Sequence, residues 1–472
     1  MRKPLLNLRT MLAAGLLPAL LTACTMPAGG GKAGGDAEWR PMDKEENVEL
    51  KVAYFDQQSF LTLYGNLFRT KYPNVEFEVV PLSSVYGAPD PVEAMRELIE
   101  REQPDVLLLS EEQYGAFASE GLLYDLGPAI ERDRFDLDNM HPGVIELLKG
   151  RGNGSLYGLA PESNSMVLYY NKDLFDRHGV PHPTDRMTWE ELLALAEQFP
   201  SAGEGFERSY GLFQSGAGRT AFDLIRSIGE AKGLLVADAD NARMTIAGEE
   251  WRSVFASVAD RYRSGAVSMP PEPKPDGAAA PPNMMVVSPE TMNFASGLSA
   301  MALDSAMGLG LLGAGGGFAV SSNDGTRPGA FDWDLVTVPV DASQPDATGG
   351  MTLPNVFAVN ANSQHTAAAW ELVKYINGEE AASMNAPNSP MLSSRPAFKR
   401  EVEGKRLDAF YALAPNPTLL HQRLPSSFDK AFALAADREI RRIVRGEIGV
   451  DEALAALEAE GQTLLEQALG GE

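Results

Sequence analysis

From Val48 onward the chain switches repeatedly between two hydrophobic periods. Val48, Leu50, Val52 and Tyr54 alternate with other residues, the pattern of a half-buried strand. Phe60, Leu63, Tyr64, Leu67 and Phe68 then recur at helical spacing. Val75, Phe77 and Val79 alternate again, and Val92, Met95, Leu98 and Ile99 return to the helical period. Val106 to Leu109 is an unbroken apolar run, as expected of a strand covered on both faces. This β-α-β-α-β succession predicts an α/β layer, with ligand-bearing loops at the carboxyl ends of its strands.

A second unit begins near Leu156. Met166 to Tyr170 reads as a strand, and Thr188-Trp189-Glu190-Glu191 as a capping box opening a helix. Residues 248–263 are amphipathic, and the Pro-, Gly- and Ala-rich residues 264–283 form a loop. Val336, Val338 and Val340 alternate, Val356 to Val359 is a short apolar run, and Thr366 to Ile376 is helical. The tail from Phe428 to Leu469 holds two helical stretches split near Gly446 to Gly449. No repeat of solenoid period occurs.

A chain of 472 residues is too long for one ordinary core and implies two or three domains. The net charge of -25 argues against a nucleic-acid partner and against binding anionic lipid through a basic patch. The single cysteine leaves no internal disulfide and no Cys-based metal site. It also has a telling position. Arg2, Lys3 and Arg9 precede the apolar run Met11 to Leu21, which is too short for a stable membrane span and ends in Leu21-Thr22-Ala23-Cys24. This resembles the lipobox of bacterial lipoproteins. The resemblance implies that residues 1–23 are a signal peptide and that Cys24 is acylated. Residues 24–47, with Gly29-Gly30-Gly31 and Gly34-Gly35, then form the lipidated cysteine and a flexible tether.

Catalytic signatures are scarce. The five histidines are scattered, and only His178 and His182 have i,i+4 spacing. Gly179, Pro181 and Pro183 argue against a helix there, and so against a metal pair. No HExxH, GxSxG or GxxxxGK[ST] sequence occurs. Gly308 to Gly313 spells GxGxxG, but in a Gly/Ala/Leu-rich stretch where small residues serve close packing. Glu111-Glu112 has the form of a glycosidase carboxylate pair, yet adjacent acids are expected by chance among 65.

Several blocks together resemble the extracellular solute-binding proteins of ABC importers, in the maltose-binding-protein-like group. These are Pro104 to Leu109 with Glu120 to Leu126, Tyr157 to Pro161 with Val167 to Phe175, and Thr188 to Leu192. Phe294 to Gly297 with Ala300-Met301, Ala367 to Ile376 and Ile448 to Leu454 complete the series, in family order. The resemblance implies an α/β, two-lobe periplasmic-binding-protein-like fold (type II), with a ligand cleft between lobes joined by hinge crossings. Crossings are expected at Ala160 to Met166, near Ala300 to Asp304 and near Gly349 to Val356. The lobes would then be 48–162 plus 304–353, and 163–303 plus 354–472 with the terminal helices.

The implied function is non-catalytic: capture of a small solute, an oligosaccharide, and delivery to ABC permease subunits by a monomer without cofactor or metal. Expected ligand contacts are Asp56, Gln57, Glu112 and Gln113 on the first lobe and Glu162, Ser163 and Asn164 at the first crossing. Phe213 and Gln214 are expected after a strand of the second lobe, and Asp304 and Met307 after the second crossing. Trp189 and Trp370 lie in helix motifs and read as packing residues. Leu109 and Met307 stand where relatives often carry tryptophan, which removes two stacking platforms. Met284, Met285, Met292, Met301, Met307 and Met351 gather in the same half of the chain. The alternatives left open are a surface-anchored glycan hydrolase or lyase, and a binding protein serving a sensor kinase.

Overall fold

The computed structural model describes residues 42–215, 219–273, 292–312, 331–402, 404–420 and 424–470. Cys24 and the tether as far as residue 41 lie outside the described residues, as do Met284, Met285, Gly313 and His421.

Two sheets organise the chain. In the first, Val48–Tyr54 (β1) pairs in parallel with Val75–Pro81 (β2) and with Val106–Leu109 (β3). Gly158–Leu159 (β4) stands at the far edge. Pro91–Glu102 (α1), Glu111–Glu120 (α2) and Pro142–Arg151 (α3) belong to the same lobe. The alternation of β1 and the unbroken run of β3 both follow from position, because β3 is central and every one of its side chains is buried.

Glu162–Ser163 (β5) leads out of the first sheet, and Met166–Asn171 (β6) enters the second. There β6 is antiparallel to Met301–Ser305 (β8) and to Trp333–Thr337 (β9), and Leu212–Gln214 (β7) runs parallel to β8. One face is covered by Trp189–Ala196 (α4), Phe222–Ala231 (α5), Glu249–Ser264 (α6), Ser426–Arg445 (α8) and Val450–Gly470 (α9). Thr188 and Glu191 form the expected reciprocal cap. Gly229 brings α5 against Trp251 of α6, since a Cβ there would lie 2.2 Å from the indole. Tyr169, Phe294, Trp333 and Phe410 fill the other face.

The allotment of strands corrects the expected lobe boundaries. Val356–Val359 (β10) lies in the first sheet, antiparallel between β3 and β4, and Thr366–Ile376 (α7) packs against it. Strand β9 lies in the second sheet, although residues 304–353 were expected in the first lobe. Residues 300–304 are strand within the second sheet rather than a crossing. Alternation reveals a strand but not its partner; only the unbroken apolar run Val356–Val359, fully buried in the structure, hints at a place between two neighbours.

The crossings are therefore 160–165, the stretch between β9 and β10, and one that begins at Leu392–Ser393 (β11). Strand β11 pairs with β5, and Asn164 forms an antiparallel bridge with Thr352. The three segments meet as a small hydrogen-bonded hinge.

Candidate functional site

The chain passes from Leu159 to Met166 within the first crossing, so the carboxyl end of β4 and the amino end of β6 lie together. Registers then bring Thr337, Ser305 and Gln214 to the same edge of the second sheet. The hinge side of the cleft is built from these ends.

At the crossing, Glu162 accepts a bond from Ser389 and faces Tyr54 and Tyr64. Burial raises its carboxyl above the ordinary range and raises both phenols, to which the Glu162 charge adds. Ser163 is buried in the β5–β11 pair. Asn164 spends both backbone groups on Thr352, and its buried Oδ1 has no partner among the described residues.

On the first lobe, Asp56 caps the short helix Gln57–Phe60, accepting the Ser59 N–H at 2.8 Å and its hydroxyl at 2.6 Å. These bonds lower its pKa. Gln57 follows, exposed. Glu112 accepts the N–H of Ser426 at 2.9 Å, from the opposite lobe. Gln113 is occupied by structure: its Oε1 accepts Ser110 N–H, its Nε2 donates to Pro91 O, and it is 5% exposed. Leu109 is 1% exposed and pairs with Val356, so it belongs to the core rather than to a cleft wall.

On the second lobe, Phe213 is packed among Tyr169, Phe294 and Ala302. Gln214 is 5% exposed; its Nε2 donates to Tyr262 Oη and Ser268 O at 2.8 Å each. Its buried Oε1 has no partner among the described residues. Asp304 accepts the Ser305 N–H and a bond from Ser215. Burial raises it against the opposing pull of Arg219. Gly308 admits that carboxylate, because a Cβ there would lie 3.1 Å from it. Close packing, not phosphate binding, thus accounts for the first glycine of the GxGxxG run. Met307 is half-buried just before the turn Gly308–Leu311.

Residues beyond those expected lie beside Gln214. A cavity of about 30 Å³ is lined by Met166, Trp189, Gln214, Arg219, Ser227 and Gly350. The buried indole N–H of Trp189 lacks an acceptor among the described residues, so this tryptophan packs the core and also edges a polar pocket. Among the described residues Arg219 donates only a 3.9 Å contact to the Met166 sulfur. Its signal in the sequence was a lone cation soon after β7. Trp370 is fully buried and bonds Asp133, as its packing role requires.

Among the described residues no group of three His, Cys, Asp or Glu side chains converges as a metal site. His182 instead bonds Asp176, and His178 packs on Phe199. Among them, too, no helix is long and apolar enough to cross a membrane.

The sequence profile of the bacterial extracellular solute-binding proteins matches residues 52–383. The chain belongs to that family. It is a family of extracellular solute-binding proteins rather than of enzymes. Solved structures agree on the fold of this solute-binding protein. A sugar transporter protein from Rhizobium etli, in an open conformation, superposes with a TM-score of 0.62 at 20% identity, covering 88% of this chain and 99% of its own. The MalE sugar-binding protein of Xanthomonas citri gives 0.61 at 16%, covering 89% and 98%. An ABC substrate-binding protein from Listeria monocytogenes, in complex with cycloalternan, gives 0.60 at 18%, covering 90% and 98%. The sn-glycerol-3-phosphate-binding periplasmic protein UgpB of Brucella abortus is 27% identical over 88 residues, which is 18% of this chain and 20% of that relative's length.

Proposed function

We propose that this solute-binding protein captures a neutral oligosaccharide in the cleft and presents it to the permease of an ABC importer, without chemical conversion. The observation that carries this reading is the pair of unspent acceptors, Asn164 Oδ1 and Gln214 Oε1, buried beside the crossing. A buried acceptor without a donor costs free energy that a ligand hydroxyl recovers. Glu162 and Asp304 add carboxylates whose burial favours neutral, hydrogen-bonding partners. The same acids disfavour a phosphate. Sugars are also the solutes named for the structures in complex with cycloalternan and with maltose. Arg219, whose donors meet only the Met166 sulfur among the described residues, favours a second reading, sn-glycerol 3-phosphate, the solute named for the Brucella relative.

Ligand contacts are assigned to Glu162, Asn164, Gln214, Arg219 and Asp304, with Met307 at the rim. Thermal-shift measurements with maltose, cycloalternan and sn-glycerol 3-phosphate separate the readings, since a ligand specific to the folded state raises Tm. Stabilisation by the phosphate ester and by neither sugar would overturn the sugar assignment. Cys24 is the proposed site of lipid attachment, holding the protein at the extracytoplasmic face of the membrane. Cys24→Ser should abolish labelling by radioactive palmitate and release the protein from membranes; persistent labelling would refute the anchor.

A further inference from the structure

Glu112 stands on the first lobe, at the start of α2, and Ser426 opens α8 of the second lobe. The bond between the Glu112 carboxylate and the Ser426 N–H, 2.9 Å long, therefore joins the lobes. One turn along α8, Asp429 lies within the electrostatic reach of Glu112. Behind it stand Asp223, Arg226 and Glu230 of α5. One guanidinium serves this group of acids, and its own buried Nε has no acceptor among the described residues. The cluster also touches the hinge, because a Cβ on Gly349 would lie 2.9 Å from a Glu230 carboxylate oxygen.

We propose that this cluster couples closure of the lobes to proton uptake: closing sets Glu112 against Asp429, and a proton taken up there relieves the repulsion. The groups facing Asp429 are Arg226 on α5 and Glu112 on α2; those facing Glu230 are Arg226, Asp223 and Asp429. Glu111, beside Glu112, is already tied to Arg151 at 2.8 Å and to the Leu353 N–H. Burial is the main cause that raises Asp429, Glu112 adds to it, and Arg226 opposes. Burial likewise carries Glu230 up to about 7. Separating the lobes removes the Glu112 contribution, so the closed state binds protons more tightly than the open one. Closure is then favoured as pH falls through the range in which Asp429 gains its proton. Glu112 is exposed, so added salt weakens the coupling.

The test uses the full-length Cys24→Ser chain with dyes on Glu97→Cys in the first lobe and Glu458→Cys in the second, both exposed positions. Energy transfer is read without ligand from pH 8 to pH 4, with circular dichroism checking the fold at each step. The closed-to-open ratio should rise roughly three- to tenfold over this range, the effect of a proton-affinity difference of up to one pK unit. Glu112→Gln keeps an acceptor for Ser426 but not the charge. It should be more closed than the parent at pH 8 and lose most of the response. A parent that is flat or opens as pH falls, or a Glu112→Gln protein with the parent's response, would overturn the proposal.

Discussion

Asn164 and Thr352 exchange both backbone hydrogen bonds, each 2.9 Å long, although they lie on different crossings between the lobes. Two hinge segments therefore move as a pair. Thr352→Pro removes one donor and restricts the backbone of its segment. It should cost about 0.5–1.5 kcal/mol of stability, the net worth of the lost hydrogen bond. Chemical denaturation measures this, and solution scattering should show a wider spread of lobe separations.

The Asn164 side chain behaves differently from its backbone. Its Oδ1 makes no bond among the described residues, so Asn164→Ala should leave Tm unchanged or raise it. Ligand affinity should fall by about 1–3 kcal/mol. Calorimetry with the sugar that stabilises the parent decides; a drop in Tm with unchanged affinity would make Asn164 a structural residue.

Glu230 predicts a pH effect on stability. Its folded value of about 7 lies above that of the unfolded chain. As pH rises the unfolded state loses this proton first, so stability falls between about pH 4.5 and 7 and levels off above. Glu230→Gln should remove that loss, worth about 3–4 kcal/mol above pH 7. Thermal unfolding of both proteins at pH 4.5 and 7.5 tests the sign, and equal slopes would refute it.

Leu109 and Gly229 should be purely structural. Leu109→Ala opens a cavity in the first sheet and should cost about 2–5 kcal/mol. Gly229→Ala forces a methyl group to within 2.2 Å of Trp251, and overpacking of this kind costs about 1–3 kcal/mol. Neither should change ligand affinity in the fraction that remains folded, as calorimetry on purified variants would establish.

Much of the scaffold was legible in the sequence because its signals are local. The period change from Val48 to Leu109, the cap at Thr188 and the break at Gly446 each depend on nearby residues, and each appears in the structure. Strand partnership is not local. Nothing near Val336 or Val356 says which sheet will receive it, and the lobe boundaries were misjudged there. The site divides in the same way. Glu162, Asn164, Gln214 and Asp304 sit at strand ends, where sequence position alone predicts a cleft. Gln113 also follows a strand end, but a capping box with Ser110 claims its side chain. Arg219 and the indole edge of Trp189 reach the cavity beside Gln214 through packing between α4, α5 and the sheet, which no short motif encodes.

The place of β10 also governs how the protein can be made. Strands β3 and β4 emerge early from any source that supplies the chain from its amino end, yet the strand that bridges them arrives far later. Until then both offer bare backbone edges, the surfaces on which chains aggregate. The first lobe cannot be completed until Val356–Val359 is supplied, and joining such distant segments is a slow class of folding. A product truncated before Val356 is thus not half a receptor but a sheet with a slot in it.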